Sequence, residues 1–260
     1  MKSNSNSPQW ESGLKILQFT DTHIFVDSSQ RFDGIDTLES LKRVIELARC
    51  NHWPPDIIVL TGDLVHDSLP DAYRRVLSAL NEIEVPVYCI PGNHDDPVLM
   101  QKVLCCGKVA MTKQIVLQNW QLVLLNTYIP NTHSGLLAES EKEFLDACLK
   151  NHREKYAMIC LHHHPVSIGS PWMDAMALQN PGELFAILER HDQVKSIIWG
   201  HIHQRFEQQK NGIRLLGSPS TCVQFKPKTD SYVRDDLEAG YRWLELCDDG
   251  MIHTGISRLS

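Results

Sequence analysis

Five short stretches hold most of the side chains in this sequence that could bind a metal. "DTH" supplies Asp21 and His23, "TGD" supplies Asp63, and "GNHD" supplies Asn93, His94 and Asp95. "HHHP" supplies His162, His163 and His164, and "GHIH" supplies His201 and His203. Seven of the 13 histidines fall in these stretches. Carboxylate, imidazole and amide oxygen without thiolate make a borderline-to-hard donor set. It suits Mn, Fe, Co or Zn better than a Cys-rich structural zinc site would. In extended chain an i, i+2 pair projects to one side, so Asp21 with His23, and His201 with His203, can each pinch an ion. The donors exceed the needs of one ion. Two ions sharing a bridging carboxylate would use them all. Such a pair is a natural seat for a phosphate ester, because each cation holds an oxygen and a hydroxide between them is a strong nucleophile at neutral pH.

Something must hold these donors in place. Each stretch follows a short apolar run bounded by turn formers, at residues 14–20, 56–60, 85–90, 156–161 and 195–199. Near-continuous apolar runs of that length suit strands covered on both faces. The C-terminal edge of such a sheet is where α/β proteins bind ligands. Between the strands lie helical periods. Ile35, Leu38, Leu41, Ile45 and Ala48 form one stripe, with Asp36 and Glu39 as a capping pair. Further stripes fall within 73–80, 144–149 and 184–188, the second of these opened by Ser140 and Glu143 as a capping box. Residues 114–127 read as a β-hairpin turning at Gln118 and Asn119, and 213–258 as mostly strand. The pattern predicts an α/β protein with more than one sheet. It contains no repeat, low-complexity run or linker, so one domain over 1–260 is expected, with a flexible polar stretch at 1–13.

Composition sets the wider limits. With 42% hydrophobic and 22% charged residues the chain can bury a sizeable core. A net charge of −7 argues against a nucleic-acid or anionic-membrane partner, so an anionic ligand would be met locally, inside a site. Eight cysteines without a CxxC pair read as reduced core residues of a cytoplasmic protein. "MKSNSNSPQW" has no apolar h-region, so no signal peptide is expected, and no apolar run is long enough to span a membrane. His52, His66, His133, His152, His191 and His253 share no partner pattern and read as surface or satisfied core residues.

The ordered set D-x-H, G-D, G-N-H-D, H-x-P and G-H-x-H resembles that of the calcineurin-like metallophosphoesterases. "LQFTDTH", "LHHHP", "GHIHQ" and "GSPSTCVQFKP" (217–227) extend the likeness over nearly the whole chain, toward the bacterial class III 3′,5′-cyclic-AMP phosphodiesterases. The resemblance implies a two-sheet β-sandwich flanked by helices, in four layers, with a dinuclear site of Fe and Mn, or Co or Zn. One ion would take Asp21, His23 and His203, and the other Asn93, His163 and His201, with Asp63 bridging. The H-x-P register selects His163, with His162 the runner-up and His164 behind. His94 is then left to face the phosphate as proton donor or charge stabiliser. His23, Asp63, Asn93, His94 and His203 would surround the substrate. The implied reaction is hydrolysis of cyclic AMP to 5′-AMP by a metal-bridging hydroxide, with a small cyclic nucleotide as partner. A same-fold enzyme acting on another phosphodiester, a phosphoprotein or a nucleotide pyrophosphate would keep the same metal residues. Asp95 or Asp67 would orient an imidazole, or Asp95 would hold the turn. Residues 170–173 and 220–225 are candidate walls for the base, with Trp172 and Phe225 read as either stacking or core residues.

Overall fold

The structure is a computed structural model that describes residues 13–260. The stretch expected to be flexible therefore lies, up to residue 12, outside the described residues. The front of the chain alternates strand and helix: β1 (Leu14–Phe19), α1 (Thr37–Asn51), β2 (Ile57–Thr61), α2 (Pro70–Leu80), β3 (Val87–Ile90), α3 (Pro97–Leu104) and the short β4 (Val109–Ala110). A hairpin follows, β5 (Gln114–Leu117) with β6 (Trp120–Leu124), turning at Gln118 and Asn119 as expected. Next come α4 (Glu139–Asn151), β7 (Tyr156–Cys160), α5 (Pro171–Asp174), α6 (Pro181–Leu188), β8 (Val194–Trp199), β9 (Phe206–Lys210) and β10 (Ile213–Gly217). The chain ends with β11 (Gly240–Leu246) and β12 (Ile252–Arg258).

These strands form two six-stranded sheets, ordered β12-β11-β1-β2-β3-β4 and β5-β6-β7-β8-β10-β9. β1 to β4 are mutually parallel, as are β6, β7, β8 and β10. The antiparallel β11 and β12 extend the first sheet, and β5 and β9 edge the second. Alternation along each strand explains the layering. Leu14 and Ile16 of β1, Ile57 and Val59 of β2, and Met158 and Cys160 of β7 meet in one cluster between the sheets. The intervening Leu17, Phe19, Ile58 and Leu60 pack instead against α1 and α2 residues such as Val44 and Val76. Ala157 and Ile159 pack against Leu145 of α4 and Leu184 of α6. With both faces buried, the period-two signal is hidden and the strands read as continuous apolar runs. The expected four-layer sandwich is the one observed.

Local signals account for most element ends. Asp36 caps α1 by accepting the Glu39 N–H at 3.1 Å. Asp96 caps α3, accepting from Val98 and Leu99, with Pro97 at the first helical position. The capping box expected at Ser140 does not form. α4 starts at Glu139 with Ala138 as N-cap and no side-chain cap, and Glu141 turns away to accept the Asn126 N–H at 3.1 Å and to pair with Lys113. Between the sheets, the buried Arg242 of β11 bonds Gly217 O, Ser218 Oγ, Thr254 Oγ1 and Glu207 Oε1, tying the first sheet to β9 and β10 of the second.

Candidate metal centre

The packed sandwich brings the C-terminal ends of β1, β2, β3, β7 and β8 together, and all five donor stretches meet there. Asp21, His23, Asp63, His162, His163, His201 and His203 are all buried. Donor atoms of Asp21, His23 and His203 lie within 4.8 Å of one another, as do those of His162, His163 and His201, and those of Asp21, Asp63 and His162. Asp63 stands between the two groups. Its Oδ2 is 3.7 Å from His23 Nε2 and 3.4 Å from His162 Nε2.

The pinching pairs are not extended, which corrects the geometry expected from their spacing. Asp21 and His23 have φ of 54° and 44°, Asp63 has 51°, and His201 and His203 have 65° and 46°. Left-handed conformations are uncommon for such residues and concentrate at functional sites. Backbone bonds hold the arms there. The Asp21 N–H donates to Gly62 O and the His23 N–H to Asp63 O, each at 3.0 Å. The His201 N–H donates to both carboxylate oxygens of Asp21 at 3.0 Å. Two glycines permit this crowding. Gly62 has φ of +93° and faces the His162 ring, while a Cβ on Gly200 would collide with Thr20 Oγ1 and lie 2.7 Å from Asp21 Oδ2.

The imidazoles are oriented from behind. The Nδ1–H groups of His203, His162 and His94 donate to the carbonyls of Val223 (2.8 Å), Thr61 (2.7 Å) and His66 (2.9 Å). His163 Nδ1 bonds Thr127 Oγ1 at 2.7 Å. Fixing one ring nitrogen leaves the other as a ligand. His23 and His203 present their Nε2 atoms to each other at 3.1 Å, and His203 Nε2 is 3.4 Å from Asp21 Oδ1. Two neutral imidazole lone pairs repel at that range unless a proton or cation lies between them. The buried Nε2 atoms of His163 and His201 have no hydrogen-bond partner. Unpaired buried acceptors beside carboxylates fit a cation. Burial holds His23, His163 and His201 well below the usual imidazole range, in the neutral form that ligates metal. Burial also opposes charge on His162, but the carboxylates of Asp63 and Asp21 outweigh it and raise the ring to about 9. Burial would raise Asp63 too, but its imidazole neighbours, His162 foremost, hold it well below the carboxylate range.

Some expected residues sit elsewhere than their spacing suggested. Asn93 Oδ1 contacts His162 Nε2 at 3.1 Å, so the structure brings His162 as well as His163 into the second group. His164 stacks beside His201 and lies 3.4 Å from Asp174, behind both. Asp95 orients no imidazole. Its carboxylate accepts the Gly92 and Leu64 N–H groups and the Tyr73 hydroxyl, and burial beside Asp63 raises it to about 7. It holds the turn. His94 donates its backbone N–H to Asp63 Oδ1 at 2.8 Å, and its ring meets that of His23 edge-on at 4.9 Å.

Over the cluster opens a cavity of about 190 Å³ lined by His23, Asp63, Asn93, His94, His201 and His203. Phe32, His133, Trp172, Met173, Met176 and Phe225 complete the lining. Of the histidines taken from the sequence as surface or core residues, His133 lines the cavity and His66 stands beside the cluster under it. His66 groups with His23 and His94, and His133 Nδ1 contacts Asn93 Nδ2 at 3.1 Å. A signal for His66 was its place three residues past Asp63 on the same strand exit. His133 and Phe32 lie on irregular loops that carry no periodicity.

A fold of two packed mixed sheets with carboxylates and imidazoles gathered at the strand ends defines a metal-dependent phosphoesterase. Residues 14–205 match the calcineurin-like phosphoesterase family, and the chain belongs to it. The cluster is therefore a divalent-metal site. The chain is 38% identical over 259 residues to the 3′,5′-cyclic adenosine monophosphate phosphodiesterase CpdA of Pseudomonas aeruginosa, covering 100% of this chain and 95% of that one. It is 37% identical over 246 residues to a 3′,5′-cyclic-nucleotide phosphodiesterase of Nostoc, covering 95% and 92%. A dimetal phosphatase structure from Danio rerio shares the fold, with a TM-score of 0.70 at 14% identity over 96% of this chain and 100% of that one. No helix among the described residues is long and apolar enough to cross a membrane.

Proposed function

We propose that this protein hydrolyses the 3′,5′-cyclic phosphodiester of cyclic AMP to 5′-AMP at a dinuclear site. The observation that carries the reading is the set of Nε2 atoms, braced from behind through Nδ1, that converge with Asp21 and Asp63 under an aromatic-lined cavity. The relatives named as cyclic-nucleotide phosphodiesterases match 95–100% of this chain and supply the substrate class.

Asp21, His23 and His203 would hold one ion, and Asn93, His163 and His201 the other, with Asp63 between them. His162 stands against Asp63 and Asn93 as the competing ligand. The donor set suits Fe and Mn, then Co or Zn. When bound, such ions supply an activated water and positive charge opposite the phosphoryl oxygens. The protein's own part is positioning. The bond from the His94 N–H fixes the Asp63 carboxylate, and the His66 carbonyl fixes the His94 ring. With Nδ1–H committed, His94 Nε2 is left for the cavity; the doubly protonated ring carries its second proton there and gives it to O3′ as the P–O3′ bond breaks and the water oxygen, giving up a proton, bonds phosphorus. The substrate phosphate then lies among His23, Asp63, Asn93, His94 and His203, all of which line the cavity.

The test is a panel of cyclic AMP, cyclic GMP, phosphoprotein, nucleotide pyrophosphate and nitrophenyl diester on protein reconstituted with each metal. Turnover of cyclic AMP to 5′-AMP at the highest kcat/KM is the expected result. Preference for a phosphoprotein or pyrophosphate would assign the other activity of the fold.

A further inference from the structure

Six of the residues that line the cavity lie outside the expected ion and phosphate contacts. Phe32, Trp172, Met173, Met176 and Phe225 are aromatic or thioether side chains, and only His133 is polar. These walls are built. Phe32 sits at the base of a two-residue turn in which Asp33 and Gly34 both have positive φ (47° and 82°), closed by bonds of 2.9 and 3.1 Å between Phe32 and Ile35. The turn sets the Phe32 ring edge-on to His23 at 5.2 Å. Trp172 lies on α5, which Asp174 anchors by accepting from Ser167 Oγ and from the Ile168 and Gly169 N–H groups. Phe225 stacks flat on His203 at 3.9 Å and meets Trp172 edge-on at 5.3 Å. The loop after Phe225 joins the walls, because Tyr232 packs on Trp172 and Phe225 while its hydroxyl bonds Asp33 beside Phe32.

Few polar atoms face this part of the cavity. The Trp172 indole N–H is spent on Thr229 Oγ1 at 3.3 Å, and His133 Nδ1 is engaged with Asn93. Phe and Met side chains have no hydrogen-bond donor to offer. We propose that Phe32 and Trp172, with Met173 and Met176, form a stacking slot for the base of the cyclic nucleotide, one that grips the faces of a purine and does not read its edge. This rests on the reading of the site as a cyclic-nucleotide phosphodiesterase. Pockets that bond a substrate's polar groups reject analogues lacking them by large factors, whereas apolar pockets discriminate weakly. Adenine and guanine are therefore accepted alike, and removal of the base costs the stacking energy.

The experiment compares cyclic AMP, cyclic GMP and ribose 3′,5′-cyclic phosphate, which has no base, on the metal-loaded enzyme and its Phe32→Ala, Phe32→Leu, Trp172→Ala and Trp172→Leu variants. Calorimetric titration with cyclic AMP is run on the same proteins. For wild type, kcat/KM for cyclic AMP and cyclic GMP agree within about tenfold, and both exceed that for the abasic ester. In the alanine variants the ratio of cyclic AMP to abasic kcat/KM falls roughly 5- to 150-fold, the range for a lost base–aromatic stack. The leucine variants keep an apolar side chain in place, with more of the volume than alanine, and lose the same ratio, which separates stacking from collapse of the loops. The slot is overturned by equal losses on cyclic AMP and the abasic ester, or by wild-type discrimination between adenine and guanine above about a hundredfold. Calorimetric binding of cyclic AMP that weakens in the variants, without turnover in any protein, would sink the hydrolase reading and leave the slot standing.

Discussion

Replacing His94 with Ala separates chemistry from ion binding. The substitution keeps the backbone N–H that donates to Asp63 Oδ1 at 2.8 Å, so the carboxylate proposed to bridge the ions stays in place. It removes a ring whose Nδ1 is tied to the His66 carbonyl at 2.9 Å and whose other nitrogen is left for the cavity. The packing lost is small, because the ring is only partly buried and Ser68 still bonds the His94 carbonyl at 2.6 Å. Loss of a positioned acid or charge stabiliser typically costs 10²- to 10⁴-fold, about 3–5 kcal/mol of transition-state stabilisation. We therefore expect kcat on cyclic AMP to fall by roughly that factor, with metal content and melting temperature unchanged. A bis(4-nitrophenyl) diester has a leaving group that needs no proton, so its loss should be smaller by at least about tenfold. The assay is steady-state hydrolysis of both substrates with elemental analysis in parallel. Equal losses on the two would refute proton donation and leave electrostatic stabilisation. Because donor atoms of His23, His66 and His94 also lie within 4.8 Å of one another, loss of an ion in His94→Ala would make His94 a ligand and refute the assignment outright.

Other expectations follow from the same geometry. Asp63→Asn, by removing the charge between the two groups, should weaken both ions and abolish turnover; two tightly held ions with activity intact would contradict the bridge. His163→Ala should lose an ion while His162→Ala and His164→Ala mainly slow the reaction. Full metal content in His163→Ala with loss in His162→Ala moves the ligand by one residue, to the ring that contacts Asn93. Arg242→Ala takes the guanidinium donors away from the buried Gly217 carbonyl and Ser218 hydroxyl, while Glu207 keeps Arg205, and should cost about 1–3 kcal/mol in urea melts, the penalty for buried polar groups that lose their partner. His52, which bonds the Tyr241 hydroxyl, is lowered from 6.5 to about 4 by burial. The unfolded chain takes up that proton first, so its contribution is complete above pH 6.5 and is lost as pH falls toward about 4. The stability gap between wild type and His52→Gln, measured by urea midpoint, should narrow over that window; a gap that widens would contradict the neutral buried ring.

The sandwich and the cluster of donor residues at its strand ends were legible because residue type and strand position carry them. An apolar run ending in Asp, Asn or His says both where a strand stops and what its mouth is for. Less local features were not legible. Ser140 and Glu143 have the residues of a capping box, but the N-cap falls two residues earlier, at Ala138, and Glu141 in the first turn is drawn to Asn126 and Lys113, a tertiary preference that no window of sequence contains. β9 carries no apolar signal because an exposed edge strand has no face to bury. His133 and Phe32 reach the cavity, and His66 the cluster beneath it, along loops whose course depends on left-handed residues such as Asp33 and Asp63, and only the folded backbone reveals that course.

The five proposed ligand residues with positive φ explain how the cluster is made. Each such residue costs roughly 1–2 kcal/mol relative to an ordinary conformation, less for Asp and His than for bulkier types. Together that approaches the lower end of a domain's net stability, so no single arm would hold its shape alone. The bonds that hold them run between arms. The β1 arm is fixed to the β2 arm by the Asp21 and His23 N–H groups, and the β8 arm is fixed to the β1 arm by the His201 N–H on Asp21. The Thr221 N–H on Thr20 O and the Ser220 hydroxyl on Asp21 O add the segment after β10. β1 and β2 belong to the first sheet, and β8 and β10 to the second. Neither sheet can therefore complete either proposed ligand set by itself. The metal centre is a product of the two sheets closing on each other, and the buried cluster between them, from Leu14 and Ile16 to Met158 and Ile198, supplies the free energy that offsets the strain in the arms.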